Sequence, residues 1–402
     1  MTERMNGWRR VFGLREAGVY YALLLLAVVL AVLTAASGRP PYLSAVNITN
    51  VFYQSSLVSI MGVAMTVILI TGNFDLSVAS VAALAAAVLI GVSGSLGFWP
   101  AAGVALLVAA AVGLLNGVIV QFVGINAFIV TLGTLTAIRG VVLIVTNGRS
   151  LMVEDPSVMA AMAAFEGGRV AVFWPLLIAG IAATLAGLLD SRRPGGMRAS
   201  AVGAVILGLT LASAALLAGQ RLTVAKPVIY MLAFTAVVWF VLRFTTMGRR
   251  LYAVGGNAEA ARLSGINVHG YKLAAFMLSS VAAGFAGVLF GCRLGSINPT
   301  ALQGAELTVI AAAILGGTSL FGGAGSVIKT VAGALLLFTL TNGFNTLNLG
   351  ANYQGVIEGT VVVVAAAIYT VGGTRRSRPR VALGAAGTQP LPLAAPDSGK
   401  RV

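Results

Sequence analysis

Few residues in this chain could do chemistry. Among 402 residues there are 11 Asp and Glu, one histidine and one cysteine. No G-x-x-x-x-G-K-[ST] pattern is present. The glycines of GGTSLFGGAG at 316–325 are followed by Lys329 and Thr330, too late in the chain for a loop that cradles phosphate. A single His269 and a single Cys292 make neither a metal-ligand spacing nor an internal disulfide. No H-E-x-x-H or G-x-S-x-G occurs, and the acids form no evident pair. The reading is of a chain with no catalytic residue, no metal site and no cofactor of its own. Any energy it uses must come from another subunit.

What remains is a set of polar constellations between greasy runs. The richest is Arg249, Arg250 and GGNAEAARLSGI at 255–266. Glu259 and Arg262 stand three apart, so on a helix they share a face and can pair with each other or reach a partner. A solvated loop is the plain alternative. TGNFDLSVASVAAL at 71–84 brings Asn73 and Asp75 close to the membrane. An aspartate in mid-helix costs about 2.5–3.5 kcal/mol on an insertion scale. Asp75 therefore reads either as a helix cap or as a contact for a solute. In NPTALQGAELTVIAAAILGGTSLFGGAGS at 298–326, Pro299 bars a continuous helix and Gly304 loosens the start before Glu306. The glycine pairs fit a re-entrant or kinked element near the inner face, or an ordinary tight turn. NGFNTLNLGANYQGVIEG at 342–359 offers Asn342, Asn345, Asn348, Asn352 and Gln354 beside Phe344 and Tyr353. Amides and flat apolar faces suit a neutral polyol, and equally a polar outer loop. The candidate pathway or gate residues are Asn73, Asp75, Glu306, Asn345 and Asn348.

The elements that must position these residues are membrane spans. The chain is 58% hydrophobic and 9% charged, against about 25% charged in a soluble domain. Its 50 glycines suit closely packed transmembrane helices. Apolar runs predict an all-α polytopic membrane protein of about 12 transmembrane helices, at 19–37, 52–70, 75–92, 98–120, 126–145, 174–189, 200–218, 227–243, 271–291, 305–316, 326–342 and 353–372. The first run is too long for a secretion signal and no cleavage pattern follows it. With the N-terminus in the cytoplasm, 19 of the 26 Lys and Arg fall on the cytoplasmic side, which is the positive-inside pattern. The net charge of +15 is then topology rather than nucleic-acid binding. Both termini and the 244–270 segment come out cytoplasmic. Residues 1–18 form an N-terminal segment, 19–372 the transmembrane domain, and 373–402 a cytoplasmic tail whose Pro/Gly/Ala-rich end predicts disorder. The longest outer loop, 146–173, carries Arg149, Glu154, Asp155, Glu166 and Arg169, and is either solvated or a docking surface for an extracytoplasmic partner.

GGNAEAARLSGI, the G-x-DLSV pattern at 72–78 and ELTVIAAAILGGTSLFGGAGS at 306–326, in this order, resemble the permease subunits of bacterial ABC importers for monosaccharides, the ribose/xylose/galactose group, over about residues 45–372. Asn73 and Ala79 depart from the glycines more usual there. Residues 171–222 read as a two-helix insertion on a 10-helix core, which makes the chain look most like the xylose-type permease. The resemblance implies a homodimeric pore, a separate ABC ATPase subunit inside and a periplasmic sugar-binding protein outside. It also implies an ATPase-coupling role for Gly256, Asn257, Glu259, Ala260, Arg262, Ser264 and Gly265. A branched-chain amino-acid permease, a membrane enzyme and an ion-coupled transporter are the competing readings. The first lacks the G-x-DLSV likeness; the second would need paired acids, and the third midplane acids within an internal repeat, neither of which this chain shows.

Overall fold

The computed structural model describes residues 14–191, 199–219, 223–349, 355–356 and 359–360. The first half of the chain gives α1 (Leu14–Ala36), α2 (Ala45–Ile70), α3 (Val78–Leu96), α4 (Phe98–Val118, continued by a π turn over Ile119–Val123) and α5 (Ala127–Val145). A short strand β1 (Leu151–Met152), helix α6 (Pro156–Phe165), β2 (Arg169–Ala171) and the pair α7 (Phe173–Ser191) and α8 (Ala199–Ala218) follow. Then come β3 (Thr223–Ala225), α9 (Lys226–Phe244), α10 (Thr246–Gly256), α11 (Ala258–Leu263), α12 (Val268–Leu294), β4 (Ser296–Ile297), α13 (Ala305–Leu315) and α14 (Val327–Leu347).

Most of these helices are apolar on every side, which is the pattern of a membrane span or a buried helix. Among the described residues eight are long and apolar enough to cross a membrane: α1 to α5, α9, α12 and α14. Shorter apolar helices are α6, α7, α8 and α13. Eleven of the predicted spans coincide with a helix. The other, 353–372, lies outside the described residues save for four helical positions, and so does the tail 373–402.

The core sits on α2, α3 and α12. In α2, 89% of the span is buried, against 11% in α1, which rests on the outside of α14. Small residues let the central helices touch backbone to backbone. A Cβ on Gly287 of α12 would overlap the carbonyl of Ala82 in α3. The hydroxyls of Thr66 on α2 and Thr330 on α14 meet at 2.6 Å.

Pairings define two ends of the bundle. At one, β1 pairs with β4 and β2 with β3, both antiparallel. We call this the strand end. At the other, the turns at 71–77, 119–126, 245–267 and 316–326 gather; we call it the loop end. The helices α7 and α8 pack chiefly on each other, through Gly180 and Gly208, whose missing side chains let the two backbones meet.

At the strand end α6 is tied down by a buried charge cluster. Glu166 Oε1 accepts from Tyr53 Oη at 2.8 Å and from Arg293 Nε at 2.9 Å, and the Arg293 guanidinium lies 3.8 Å over the Tyr53 ring. Lys226 Nζ and Tyr230 Oη donate to the carbonyls of Ala164 and Phe165. Of the acids in the 146–173 loop, Glu166 thus faces the bundle, only 4% exposed, rather than an outside partner. Removing one member of a buried ion pair strands the other and costs about 3–5 kcal/mol. Glu166→Ala is expected to lower the thermal unfolding midpoint in detergent sharply. Tyr53→Phe, which deletes one hydroxyl bonded to the carboxylate, should cost less, about 1.5–3 kcal/mol. An unchanged midpoint for Glu166→Ala would show that the cluster does not hold α6.

Candidate functional site: a glycine junction beneath an exposed helical segment

The segment predicted to couple is built as two short helices meeting at Asn257. The Thr245 hydroxyl caps α10 through the Gly248 N–H at 3.3 Å. Asn257 ends α10 and caps α11, its Oδ1 accepting from the Ala260 N–H at 2.9 Å. Glu259 sits in the first turn of α11 and Arg262 in the last, each on the side that the helix dipole favours. They pair at 2.9 Å with both side chains 65% exposed. Ser264 Oγ donates to the Ala260 carbonyl, and Gly265 leaves the helix at φ 77, a left-handed conformation that glycine adopts without strain. A small apolar core of Val254, Ala261 and Val268 holds the two helices to the start of α12. Gly256, Asn257, Glu259, Ala260, Arg262, Ser264 and Gly265 are all exposed, so the seven sit on one open surface. The sequence reading missed Leu263, 80% exposed beside them, and Phe321, 94% exposed at the tip of the neighbouring 316–326 turn. An aromatic set between two glycine pairs was the available signal for Phe321.

Beneath that surface three distant stretches meet backbone to backbone. Gly255 lies against the carbonyl of Ile70 so closely that a Cβ would overlap the oxygen. The same carbonyl accepts from the Gly323 N–H at 2.9 Å. A Cβ on Gly322 would come within 3.0 Å of Gly72 Cα, and one on Gly323 within 2.9 Å of Gly256 Cα. Tyr252 Oη closes the junction on the Gly325 carbonyl at 2.9 Å. The α10–α11 segment is therefore set directly on the C-terminus of α2 and on the turn that leads into α14.

Asp75 lies just beyond that junction, fully buried. Its Oδ1 accepts from the Ser77 N–H at 3.0 Å and the Ser77 hydroxyl at 2.5 Å, and its Oδ2 accepts from the Ser279 hydroxyl of α12 at 2.7 Å. Ser77 Oγ in turn accepts from Asn116 Nδ2, and Asn116 Oδ1 accepts from Thr134 Oγ1. Ser77, not Asp75, holds the N-cap position of α3, and Asp75 satisfies the helix start from two residues upstream. Burial pushes the carboxyl up from its usual range, and the hydrogen bonds from Ser77 and Ser279 oppose that. This carboxylate binds the frame of the protein. Asn73 bonds locally to Thr71 Oγ1 at 3.1 Å and edges a cleft of about 580 Å³ shared with Gln121, Asn126, His269 and Lys272.

Of the other candidates, Asn345 and Asn348 stand at the opposite end, and Glu306 lies one short helix away from the 316–326 turn. Glu306 is in the first turn of α13, which at about 16 Å is too short to cross a hydrocarbon core of about 30 Å alone. Asn348 is the left-handed C-cap of α14, and Asn345 is exposed one turn earlier. Asn342 turns inward instead, donating to Asn47 Oδ1 at 3.0 Å, while Tyr42 Oη donates to the Thr339 carbonyl at 2.8 Å. Asn73 and Asp75 thus meet at the loop end, and Glu306, Asn345 and Asn348 do not join them.

The junction makes a sharp contrast between adjacent glycines. Gly255→Ala forces backbone apart in a packed site and is expected to cost about 1–3 kcal/mol. Gly256→Ala, whose Cβ meets nothing within 4 Å, should leave the unfolding midpoint of the isolated protein unchanged. Equal midpoints for the two variants would contradict the packing described.

Comparison with known proteins shows the family of the chain. A family model described as branched-chain amino acid transport system / permease component matches residues 47–366. The ribose import permease protein of Escherichia coli is 33% identical over 366 residues, 91% of this chain and 98% of its own. The xylose transport system permease protein of Haemophilus influenzae is 32% identical, over 88% of this chain and 96% of its own. The D-allose transport system permease protein of E. coli is 30% identical, over 87% and 90%. The xylose type favoured by the sequence reading is one of several relatives of equal similarity, and no solved structure matches. The chain belongs to the branched-chain amino acid transport system / permease component family, in its group of permease subunits of bacterial ABC importers for monosaccharides.

Proposed function

We propose that this chain is the membrane pathway of an importer that carries a pentose such as ribose or xylose across the cell inner membrane, driven by ATP hydrolysis on a separate subunit. The observation that carries the mechanism is the glycine junction. A force applied to α10–α11 reaches the ends of α2 and α14 through rigid backbone contacts rather than through mobile side chains. In this reading 244–270 is the coupling loop, and the ATPase grips Gly256, Asn257, Glu259, Ala260, Arg262, Ser264 and Gly265, with Leu263 and Phe321 as apolar anchors. Residues 19–372 form the permease domain with about 12 crossings and both termini in the cytoplasm, and two copies line the pore. The positive-inside count supports the orientation. The mutually packed helix pair within 171–222 supports the likeness to the xylose type. A periplasmic binding protein delivers the sugar at the strand end. Asn73 and Asp75 lie at the inner gate, and Glu306, Asn345 and Asn348 lie toward the outer mouth.

Two tests bear on this. An exposed i,i+3 pair contributes little to stability, about 0.3–0.5 kcal/mol, so its loss should not unfold the protein. Glu259→Arg and Arg262→Glu are each expected to cut uptake about tenfold or more by placing like charges at the ATPase interface, with normal amounts of protein in the membrane. Uptake at the wild-type rate in both would remove the coupling assignment. Ser264→Cys should react with a membrane-impermeant maleimide only from the cytoplasmic side; labelling from outside would invert the topology.

A further inference from the structure

Arginine and glutamate meet at one place within the apolar helices. Arg139 is the one charged residue in α5, AFIVTLGTLTAIRGVVLIV. Glu306 opens α13, AELTVIAAAIL, which is otherwise free of charge. Ionisable groups at membrane depth face a protein interior or a watery cavity rather than lipid, and they mark solute paths. Arg139 Nη1 donates to the Ala301 carbonyl at 2.6 Å. That contact fastens α5 to the 298–304 turn, where Leu302 takes a left-handed backbone, φ 59, that a bulky residue rarely adopts. Such outliers gather at ligand clamps. Glu306 follows Ala301 by only five residues, yet it closes no ion pair with Arg139. Each also keeps one buried atom, Arg139 Nη2 and Glu306 Oε2, with no hydrogen-bond partner among the described residues. Buried polar atoms are almost always satisfied, so a donor and an acceptor left open around the same 301–306 stretch point to a group that serves both.

We infer that Arg139 and Glu306 form a hydroxyl-binding pair for the translocated sugar, an inference that rests on the sugar-importer reading above. A sugar hydroxyl accepts from Arg139 Nη2 and donates to Glu306 Oε2, using one lone pair and one proton. A neutral ligand suits the pair because the two charges already offset each other. A carboxylate, as in an amino acid, would need the guanidinium free of the acid beside it. The pair is a reader of hydroxyls at membrane depth, with Ala301 fixing the guanidinium in position.

The test uses the complete importer (permease, ATPase and binding protein) in proteoliposomes, with labelled ribose, xylose, allose and leucine. Losing one partner leaves the other buried and unmatched, so Glu306→Gln and Arg139→Gln are each expected to lower sugar moved per ATP hydrolysed about tenfold. The double variant should be no worse than the poorer single, since both act through one bound hydroxyl. Ratios within twofold of wild type in both singles would overturn the pair. So would a parallel fall in uptake, ATP hydrolysis and folded protein, which marks a purely structural tie. Transport of leucine in place of every sugar by the wild type would overturn the importer reading itself, and the hydroxyl assignment with it.

Discussion

One carbonyl organises the loop end of this protein. The oxygen of Ile70 ends the most deeply buried helix, receives the Gly323 N–H, and lies against the bare backbone of Gly255. Three stretches far apart in the sequence therefore meet at a point where no side chain intervenes. Backbone contacts of this kind cannot rearrange by rotamer changes; the parts move together or not at all. In the proposed function this contact makes the exposed segment of 18 residues or so, fastened by the small core of Val254, Ala261 and Val268, a handle on the membrane helices.

The two ends of the bundle solve different problems. At the loop end, hydroxyl and amide groups satisfy a carboxylate with no cation in its hydrogen-bond set: Asp75 is bound by Ser77 and Ser279, and the chain continues through Asn116 to Thr134. The network ties α3, α4, α5 and α12 together beside the junction. At the strand end, the burden falls on charges and aromatics. Glu166, Arg293 and Tyr53 clamp α6, and Tyr42 with Asn47 and Asn342 pins α14. Between these ends the contacts are those of small residues, as between Gly287 and Ala82. A pathway for a neutral solute asks for few charges, and Arg139 with Glu306 stands apart for that reason.

Most of the helices were legible in the chain itself, because oil-and-water partition sets the apolar runs. In the 249–266 segment Glu259 and Arg262 make the pair that their spacing implies, whereas the cap that Asn257 supplies was not read from the sequence. What periodicity could not supply was direction. Asn342 and Glu166 look like loop residues in sequence and turn inward in space. Gly255, not its neighbour Gly256, makes the critical approach, since only the fold decides which of two adjacent glycines meets another backbone. Asp75 was read as either a helix cap or a solute contact; Ser77 takes the cap position, and the Asp75 partner Ser279 lies 204 residues away. The choice among ribose, xylose and allose is set by a few side chains along a path, and overall similarity does not resolve it.

The account turns on energy arriving from outside the chain through the α10–α11 handle. The most direct measurement is labelled-sugar uptake into proteoliposomes holding this permease, with and without its ATPase, at fixed ion gradients. The account expects uptake only when the ATPase is present and hydrolysing ATP, in proportion to the ATP consumed. Sugar accumulation by the permease alone, driven by a proton or sodium gradient, would contradict it.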